Sequence, residues 1–340
     1  MGYSGSEGEC VMTSPIVVFG FGAVGRAIAD TLLARGDAVR VAQRSRPADL
    51  PARAEFAACD ILDPGAVRRA VEGAAHVVLA VGFPYDRKVW REVWPRTMTN
   101  LVEACAATGA RLVFVDNLYQ LGPQNAPRRE DMPLSDRGAK PAILSQVTRI
   151  WQTAAEAGRL RIAALRCTDF YGPGVPVSHI GDTGFGALTQ GRPAMLLAPP
   201  DTPHDFAYVP DIARAVAVLL DAPDDAYGQV WNMPCAPTLT PRQILRLGVE
   251  AIGVKLRVTA VPLPLLPLAG LFVPFMREVA DVGFTWDRPY VVDGSKFMRR
   301  FGFTPTPYAV GAPATARAFA ALAASTPRAR VPLARDRVSA

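Results

Sequence analysis

Three glycines, Gly20-x-Gly22-x-x-Gly25, stand where an uninterrupted apolar run ends and a helical pattern begins. No other feature of the chain constrains its fold as strongly. Ile16, Val17, Val18 and Phe19 read as a strand buried on both faces, because no polar residue interrupts them. After the turn, Val24, Ile28, Leu32 and Leu33 recur at helical spacing as far as Arg35, and Gly36 supplies a stop. Residues 39–42 form the next strand. Strand, turn, helix and strand together make one βαβ unit. In such a unit the first glycine permits the tight turn, the second lets a pyrophosphate approach the backbone, and the third lets helix and strand pack closely. The helix N-terminus then offers free N–H groups to phosphate. Gly20, Phe21, Gly22, Ala23, Val24 and Gly25 are therefore assigned to a bound dinucleotide.

The alternation continues down the chain. Helical patterns cover residues 66–71, 89–108 and 141–157; strands cover 76–81, Arg111–Asp116 and 161–166. This predicts an α/β fold: a doubly wound Rossmann sheet of parallel strands, covered on both faces. After Arg166 the pattern loosens, and prolines and glycines crowd residues 170–210. Shorter units follow, with strands at 206–209, 229–233 and 256–261 and helices at 211–220 and 241–253. The expected organisation is a loose tail (1–13), a nucleotide domain (14–170), a smaller C-terminal substrate region (171–325) and a second tail (326–340). Residues 205–232 are expected to return to the first domain.

Composition excludes several classes. Half of the 340 residues are hydrophobic and 20% are charged, so the chain can bury a large core and is not disordered. The net charge of +6 points weakly to nucleic acid. The arginines are dispersed, however, and no basic helix face carries interleaved aromatics, so no nucleic acid partner is expected. The five cysteines lie more than 40 residues apart and there are three histidines, a pattern without a zinc or redox motif. No metal is expected, and the thiols read as those of a reduced, cytoplasmic protein. Met1–Cys10 holds Glu7 and Glu9, no basic residue and no apolar core, which disfavours a signal peptide. The most apolar stretch, 260–276, contains Pro262, Pro264, Pro267 and Pro274 and is shorter than the roughly 20 residues a membrane span needs. It reads as a pocket wall or an interface.

The end of the second strand should meet the adenosine ribose. An acidic residue there favours NAD, but this chain has Gln43-Arg44-Ser45-Arg46. Arg44 and Ser45 suit a 2′-phosphate, so NADP is the expected cofactor, with NAD the alternative. Asp60, beside Ile61, can accept from the adenine amine. Ala80, Val81 and Gly82 end the strand that follows, where a ligand-facing loop belongs.

With these residues in place the chain resembles the extended, atypical branch of the short-chain dehydrogenase/reductase superfamily, the epimerase/dehydratase-like proteins. The likeness spans roughly residues 15–310. It rests on the Gly20–Gly25 turn, Cys59-Asp60-Ile61, Val115-Asp116-Asn117, Arg166-x-x-Asp169-Phe170-Tyr171-Gly172-Pro173-Gly174 and Phe206-x-Tyr208-Val209-x-Asp211-Ile212-Ala213. The resemblance implies NAD(P)-dependent chemistry and a homodimer formed through helices 89–108 and 141–157.

That branch ordinarily uses a tyrosine and a lysine four residues apart. No Tyr-x-x-x-Lys occurs in this chain. The tyrosine position falls near Lys140, the lysine position near Leu144, and the usual Ser/Thr position near Asn117. Two replacements are open. Lys140 stands by the ribose or acts as the acid, unless it is a surface lysine at a helix start. Alternatively Tyr119 donates the proton and Asn117 orients the substrate oxygen, unless the two are a pocket wall and a turn cap. Tyr85, Ser178, His179 and Tyr208 are further candidates for touching substrate. His204-Asp205 reads as a paired histidine with a structural bond. Asp116 reads as a carboxylate satisfying backbone N–H groups, with a catalytic base as the alternative, and Tyr171, Trp90, Trp94 and Trp231 as packing residues.

The expected protein is an NADP-preferring oxidoreductase acting at a carbonyl or conjugated double bond of a small, apolar substrate, with a non-standard proton donor. The alternatives are a redox sensor that holds NAD(P) without catalysis and a non-redox isomerase or epimerase on the same fold.

Overall fold

The computed structural model describes residues 14–325. The two expected tails, 1–13 and 326–340, lie outside the described residues. The first half contains β1 (Ile16–Phe19), α1 (Ala23–Arg35), β2 (Val39–Gln43), β3 (Glu55–Ala58), α2 (Pro64–Val71), β4 (His76–Leu79), α3 (Arg87–Thr108), β5 (Arg111–Asp116), α4 (Ala139–Glu156) and β6 (Ile162–Arg166). The remainder contains β7 (Asp169–Tyr171), α5 (Ala187–Thr189), β8 (Ala194–Leu197), β9 (Phe206–Tyr208), α6 (Val209–Leu220), β10 (Gln229–Asn232), α7 (Pro241–Glu250), β11 (Val258–Val261), α8 (Leu266–Ala269), α9 (Pro274–Ala280), α10 (Ser295–Phe301) and α11 (Tyr308–Ser325).

Seven strands form one parallel sheet in the order β10-β6-β5-β4-β1-β2-β3. This is the doubly wound α/β architecture expected of the sequence, with β10 added at one edge. Successive residues of β1 serve opposite layers. Val18 packs in one core with Ile28 and Leu32 of α1 and Ile212 and Val216 of α6. Val17 and Phe19 pack in the other with Val67 of α2, Met98 and Leu101 of α3 and Val147 of α4. Each such side chain contributes about 1.5–3 kcal/mol by burial. An all-apolar strand is therefore the correct sequence for this central position.

Local signals set the helix starts. Asp63 accepts from the Gly65 N–H at 2.8 Å and Pro64 occupies the first helical position of α2. Asp86 caps α3 by accepting from the N–H groups of Lys88 and Val89. Thr240 and Gln243 form a reciprocal capping box at α7.

The second half builds a smaller unit at the strand ends. β8 pairs with β11 and β7 with β9, each as a two-stranded parallel ribbon. Phe185, Leu188, Ile244, Leu245, Tyr308 and Phe319 form its core. Within this half, β10 pairs with β6 in the main sheet and α6 packs on α1. The short strands β3, β7 and β8 are additions to the expected elements: β7 and β8 lie in the Pro/Gly-crowded stretch, where three or four residues give no readable period. Among the described residues no helix is long and apolar enough to cross a membrane, and no His/Cys/Asp/Glu group is arranged to hold a metal.

Candidate cofactor and substrate site

Strand order reverses between β1 and β4, and a cavity of about 1430 Å³ opens there. Gly20 turns the chain at φ +91°, and a Cβ at that position would stand 2.8 Å from the Ala80 carbonyl oxygen. A Cβ on Gly25 would stand 2.1 Å from the Gly20 oxygen. Both positions are closed to side chains. Gly22 differs: a Cβ there meets nothing within 4 Å. It faces the cavity and caps α1 without a side-chain hydrogen bond, so the first-turn N–H groups are left for a ligand. The open cradle over these N–H groups fits a pyrophosphate.

The cavity then runs past the ends of β2, β3 and β4. Gln43, Arg44 and Ser45 line it. Gln43 Nε2 donates to the Ser45 carbonyl at 2.7 Å, which folds this loop back. Arg44 is exposed, and its guanidinium has no ion-pair partner among the described residues. Asp60 lines the wall and accepts from the Leu62 N–H at 3.0 Å through Oδ1. Ile61 is fixed by Asn100 Nδ2, which donates to its carbonyl at 2.9 Å. Ala80, Val81 and Gly82 complete this part. Gly25 contributes from behind, through packing. Lys140 is absent from the lining.

Sequence reasoning missed several lining residues: Arg26 and Asp30 of α1, and Phe83, Val115, Phe170 and Val175–Val177 at the far end, where Pro84 also lies. Charge is distributed unevenly. The charged lining residues Arg26, Asp30, Arg44 and Asp60 all belong to the glycine-turn half, and the residues at the other end are apolar.

Tyr85, Asn117, Tyr119 and His179, like Lys140, are absent from the cavity lining; in sequence Tyr85 and Tyr119 follow the lining residues Pro84 and Val115. Tyr85 comes after Pro84, and its hydroxyl lies 3.4 Å from that of Tyr119. Tyr119 lies beyond Val115, held by a turn in which its N–H donates to Asn117 Oδ1 at 2.9 Å. Burial pushes both phenols above their ordinary range. Lys140 is fully buried. Its Nζ donates to the Glu278 carboxylate and, at 2.9 Å, to the Glu278 carbonyl, and stands 4.4 Å from the centroid of the Tyr85 ring. Glu278 also faces Arg87 at 3.4 Å. Lys140 is thus neither a surface residue nor part of the cavity wall; it props the back of Tyr85.

Asp169 enters the sequence reading only as part of a motif, yet it organises the other side. Its Oδ2 accepts from Trp286 Nε1 at 2.9 Å and lies 3.2 Å from His204 Nε2. Burial pushes this carboxyl up, but His204, His179 and Trp286 outweigh that and hold it below the usual carboxylate range. His179 stacks on Trp286 with ring centroids 5.3 Å apart, and burial pushes its pKa down to about 4.

The pairing of His204 with its neighbour Asp205 is corrected: Asp169 takes that place, and Asp205 accepts instead from the Val292 N–H at 2.8 Å. Adjacent side chains in an extended segment point to opposite sides. Ser178 spans back to the Phe170 carbonyl, and Tyr208 packs 5.0 Å from the Tyr171 ring; neither lines the cavity. Asp116 faces Arg166 at 3.5 Å and accepts from Gln120 Nε2 at 2.6 Å, while burial raises its pKa to about 6. Tyr171, Trp90, Trp94 and Trp231 are buried in cores.

Residues 16–233 match the family model of the NAD dependent epimerase/dehydratase family. The chain belongs to this family. A curated relative, the dTDP-6-deoxy-L-talose 4-dehydrogenase (NAD(P)(+)) of Kitasatospora kifunensis, is 30% identical over 264 residues, covering 73% of this chain and 82% of that protein. Among solved structures, the NAD complex of UDP-glucose 4-epimerase from Thermus thermophilus superposes with a TM-score of 0.73 at 23% identity, over 90% of this chain and 98% of that one. A dTDP-glucose 4,6-dehydratase from Streptomyces venezuelae, with NAD bound, gives 0.74 at 20% identity, over 90% and 96%. As an epimerase/dehydratase family member the chain is an NAD(P)-dependent enzyme of the extended short-chain dehydrogenase/reductase type.

Proposed function

We propose that this protein is an NADP-preferring oxidoreductase that transfers a hydride to or from a small, largely apolar substrate, at a carbonyl or a conjugated double bond. The observation that carries this reading is the distribution of charge along the cavity. Arg44, without an ion-pair partner among the described residues, stands at the end assigned to the adenosine ribose, while no charged residue lines the opposite end. Arg44 with Ser45 would hold a 2′-phosphate through charge-assisted bonds. Gly20–Gly25 and the α1 N-terminus would hold the pyrophosphate. NADP, when bound, supplies or accepts the hydride.

In this reading Tyr119 is the proton donor to the substrate oxygen, Tyr85 shares its proton, and Lys140 holds Tyr85 in place. Both phenols are neutral at physiological pH because burial raises them. Burial holds both in the protonated form, the form a donor to the substrate oxygen needs. Residues 14–170 bind the cofactor. Residues 171–325 close over the substrate, with 205–232 folded back on the main sheet. The homodimer forms through α3 and α4, which a monomeric elution in gel filtration would refute.

One observation favours a second reading, a nucleotide-sugar dehydrogenase or epimerase: the curated relative acts on a dTDP-sugar by name. Its diphosphate calls for a cation at the apolar end, where none lines the wall.

Calorimetric titration with NADPH and NADH, in wild type and Arg44→Ala, tests the cofactor assignment. The expected result is NADPH binding that weakens about tenfold or more in the variant, with NADH nearly unchanged. Equal binding of the two nucleotides in wild type would refute it.

A further inference from the structure

Residues 258–276 contain no charged side chain. They form β11, a single turn at Leu263–Leu265, α8 and the first part of α9. The inner side is firmly attached to the body. Leu266 is buried with Val279, Val282 and Trp286, and Tyr85 and Tyr119 pack against the same cluster. The Lys140–Glu278 ion pair joins the end of α9 to α4, and Asp281 accepts from the N–H groups of Ala139 and Lys140 at 3.0 and 2.9 Å.

The outer side is bare. Leu265, Leu268, Leu271, Phe272, Val273 and Phe275 are between 46% and 83% exposed. Exposed apolar side chains are ordinarily scattered singly over a protein surface; six of them within eleven residues mark an interaction site.

The charges around this ridge identify its partner. The two acids that follow it are turned inward and used: Glu278 by Lys140 and Arg87, Asp281 by the N-terminus of α4. Arg87 and Lys140 are spent on Glu278, and Asp86 accepts from the N–H groups of Lys88 and Val89, but two cations are left exposed. Arg277 is exposed at the end of the ridge. Lys88 is exposed in the first turn of α3, three residues after Tyr85, whose ring lies 6.1 Å from Phe275. An apolar ridge beside cations is complementary to anionic headgroups over acyl chains. A second copy would bring a rim with the same two exposed cations into the interface.

We propose that this face docks the protein on an anionic lipid surface, with Leu268, Leu271 and Phe272 entering the headgroup layer and Lys88 and Arg277 meeting the phosphates. The segment lies in the interface and does not cross it. α8 and α9 are four and seven residues long, far short of a span.

Co-sedimentation with vesicles tests this, using phosphatidylcholine alone and phosphatidylcholine mixed in equal parts with phosphatidylglycerol. Wild type is expected to pellet with the mixed vesicles, and less so as salt is raised. Replacing Leu268, Leu271 and Phe272 together by Asp is expected to cut the bound fraction at least about tenfold. The thermal midpoint and NADPH affinity of this variant, which report its folding, are expected to stay at the wild-type values. Failure of wild type to pellet with the mixed vesicles would overturn the proposal, as would undiminished pelleting of the folded variant. Sedimentation velocity supplies the other contrary outcome: a dimer that becomes monomeric in the variant, with no vesicle binding by wild type, assigns the face to a second copy.

Discussion

The Nζ of Lys140 stands 4.4 Å from the centroid of the Tyr85 ring while donating to the carbonyl and carboxylate of Glu278. The one lysine that the family pattern brings near the catalytic tyrosine position is therefore used from behind. It braces a tyrosine whose hydroxyl meets Tyr119.

Lys140→Met would leave the Glu278 carboxylate in a nearly dry site with Arg87 as its remaining ionic partner. Removing one member of a buried pair costs about 3 kcal/mol. Urea unfolding should show a loss of that size, with NADPH affinity within about twofold of wild type. A lysine that bound the nicotinamide ribose would show the reverse: lost affinity and retained stability.

Tyr119→Phe removes the proposed donor and keeps the ring. Positioned proton transfer is worth about 100-fold or more, so kcat for reduction should fall by that amount while the NADPH Kd holds. Because burial raises both phenols, the wild-type reduction rate should stay flat across neutral pH and the oxidation rate should climb with pH. A pH–rate profile in both directions checks this; oxidation that levels off near neutrality would contradict it.

The two glycines at the helix start should fail differently. Gly22 has an ordinary φ of −76° and open space before it. Gly22→Val should keep its thermal midpoint and lose nucleotide binding. Gly25→Val would drive its Cβ into the Gly20 carbonyl, so its thermal midpoint should drop as well. Differential scanning fluorimetry with and without NADPH separates the two outcomes.

This contrast also marks how much is legible in the sequence. The glycine turn depends on a local strand and helix, so Ile16–Phe19 and Ala23–Arg35 are readable to the residue, and with them the cavity wall at Arg44, Asp60 and Ala80–Gly82. The substrate side depends on contacts between distant segments. Glu278 lies 138 residues from Lys140 and Trp286 lies 117 from Asp169. No spacing rule connects such pairs. Sequence adjacency alone favours Asp205 for His204, yet the chain turns it the other way. Phe170, in the three-residue strand β7, and Val175–Val177 fall in a Pro/Gly-crowded stretch without a period, so their place in the wall leaves no signal.

His179 is held neutral by burial, with its pKa lowered from 6.5 to about 4. Between those values the unfolded chain binds more protons than the folded one, so stability falls as pH drops through that window and levels off below it. The loss is at most about 3 kcal/mol. His179→Phe keeps a ring against Trp286 and removes this term. Urea midpoints measured from pH 7 to pH 4 should therefore decline less steeply in the variant; parallel declines would contradict the burial argument.

The central claim, hydride transfer from NADPH to an apolar acceptor, is tested most directly with NADPH deuterated at the nicotinamide C4. The protein is incubated with a panel of simple ketones, enones and 4-keto nucleotide sugars, and products are read by mass spectrometry. The account predicts deuterium in ketone or enone products and its loss in Tyr119→Phe. Label confined to nucleotide sugars, or tight NADPH binding with label in no compound, would contradict it.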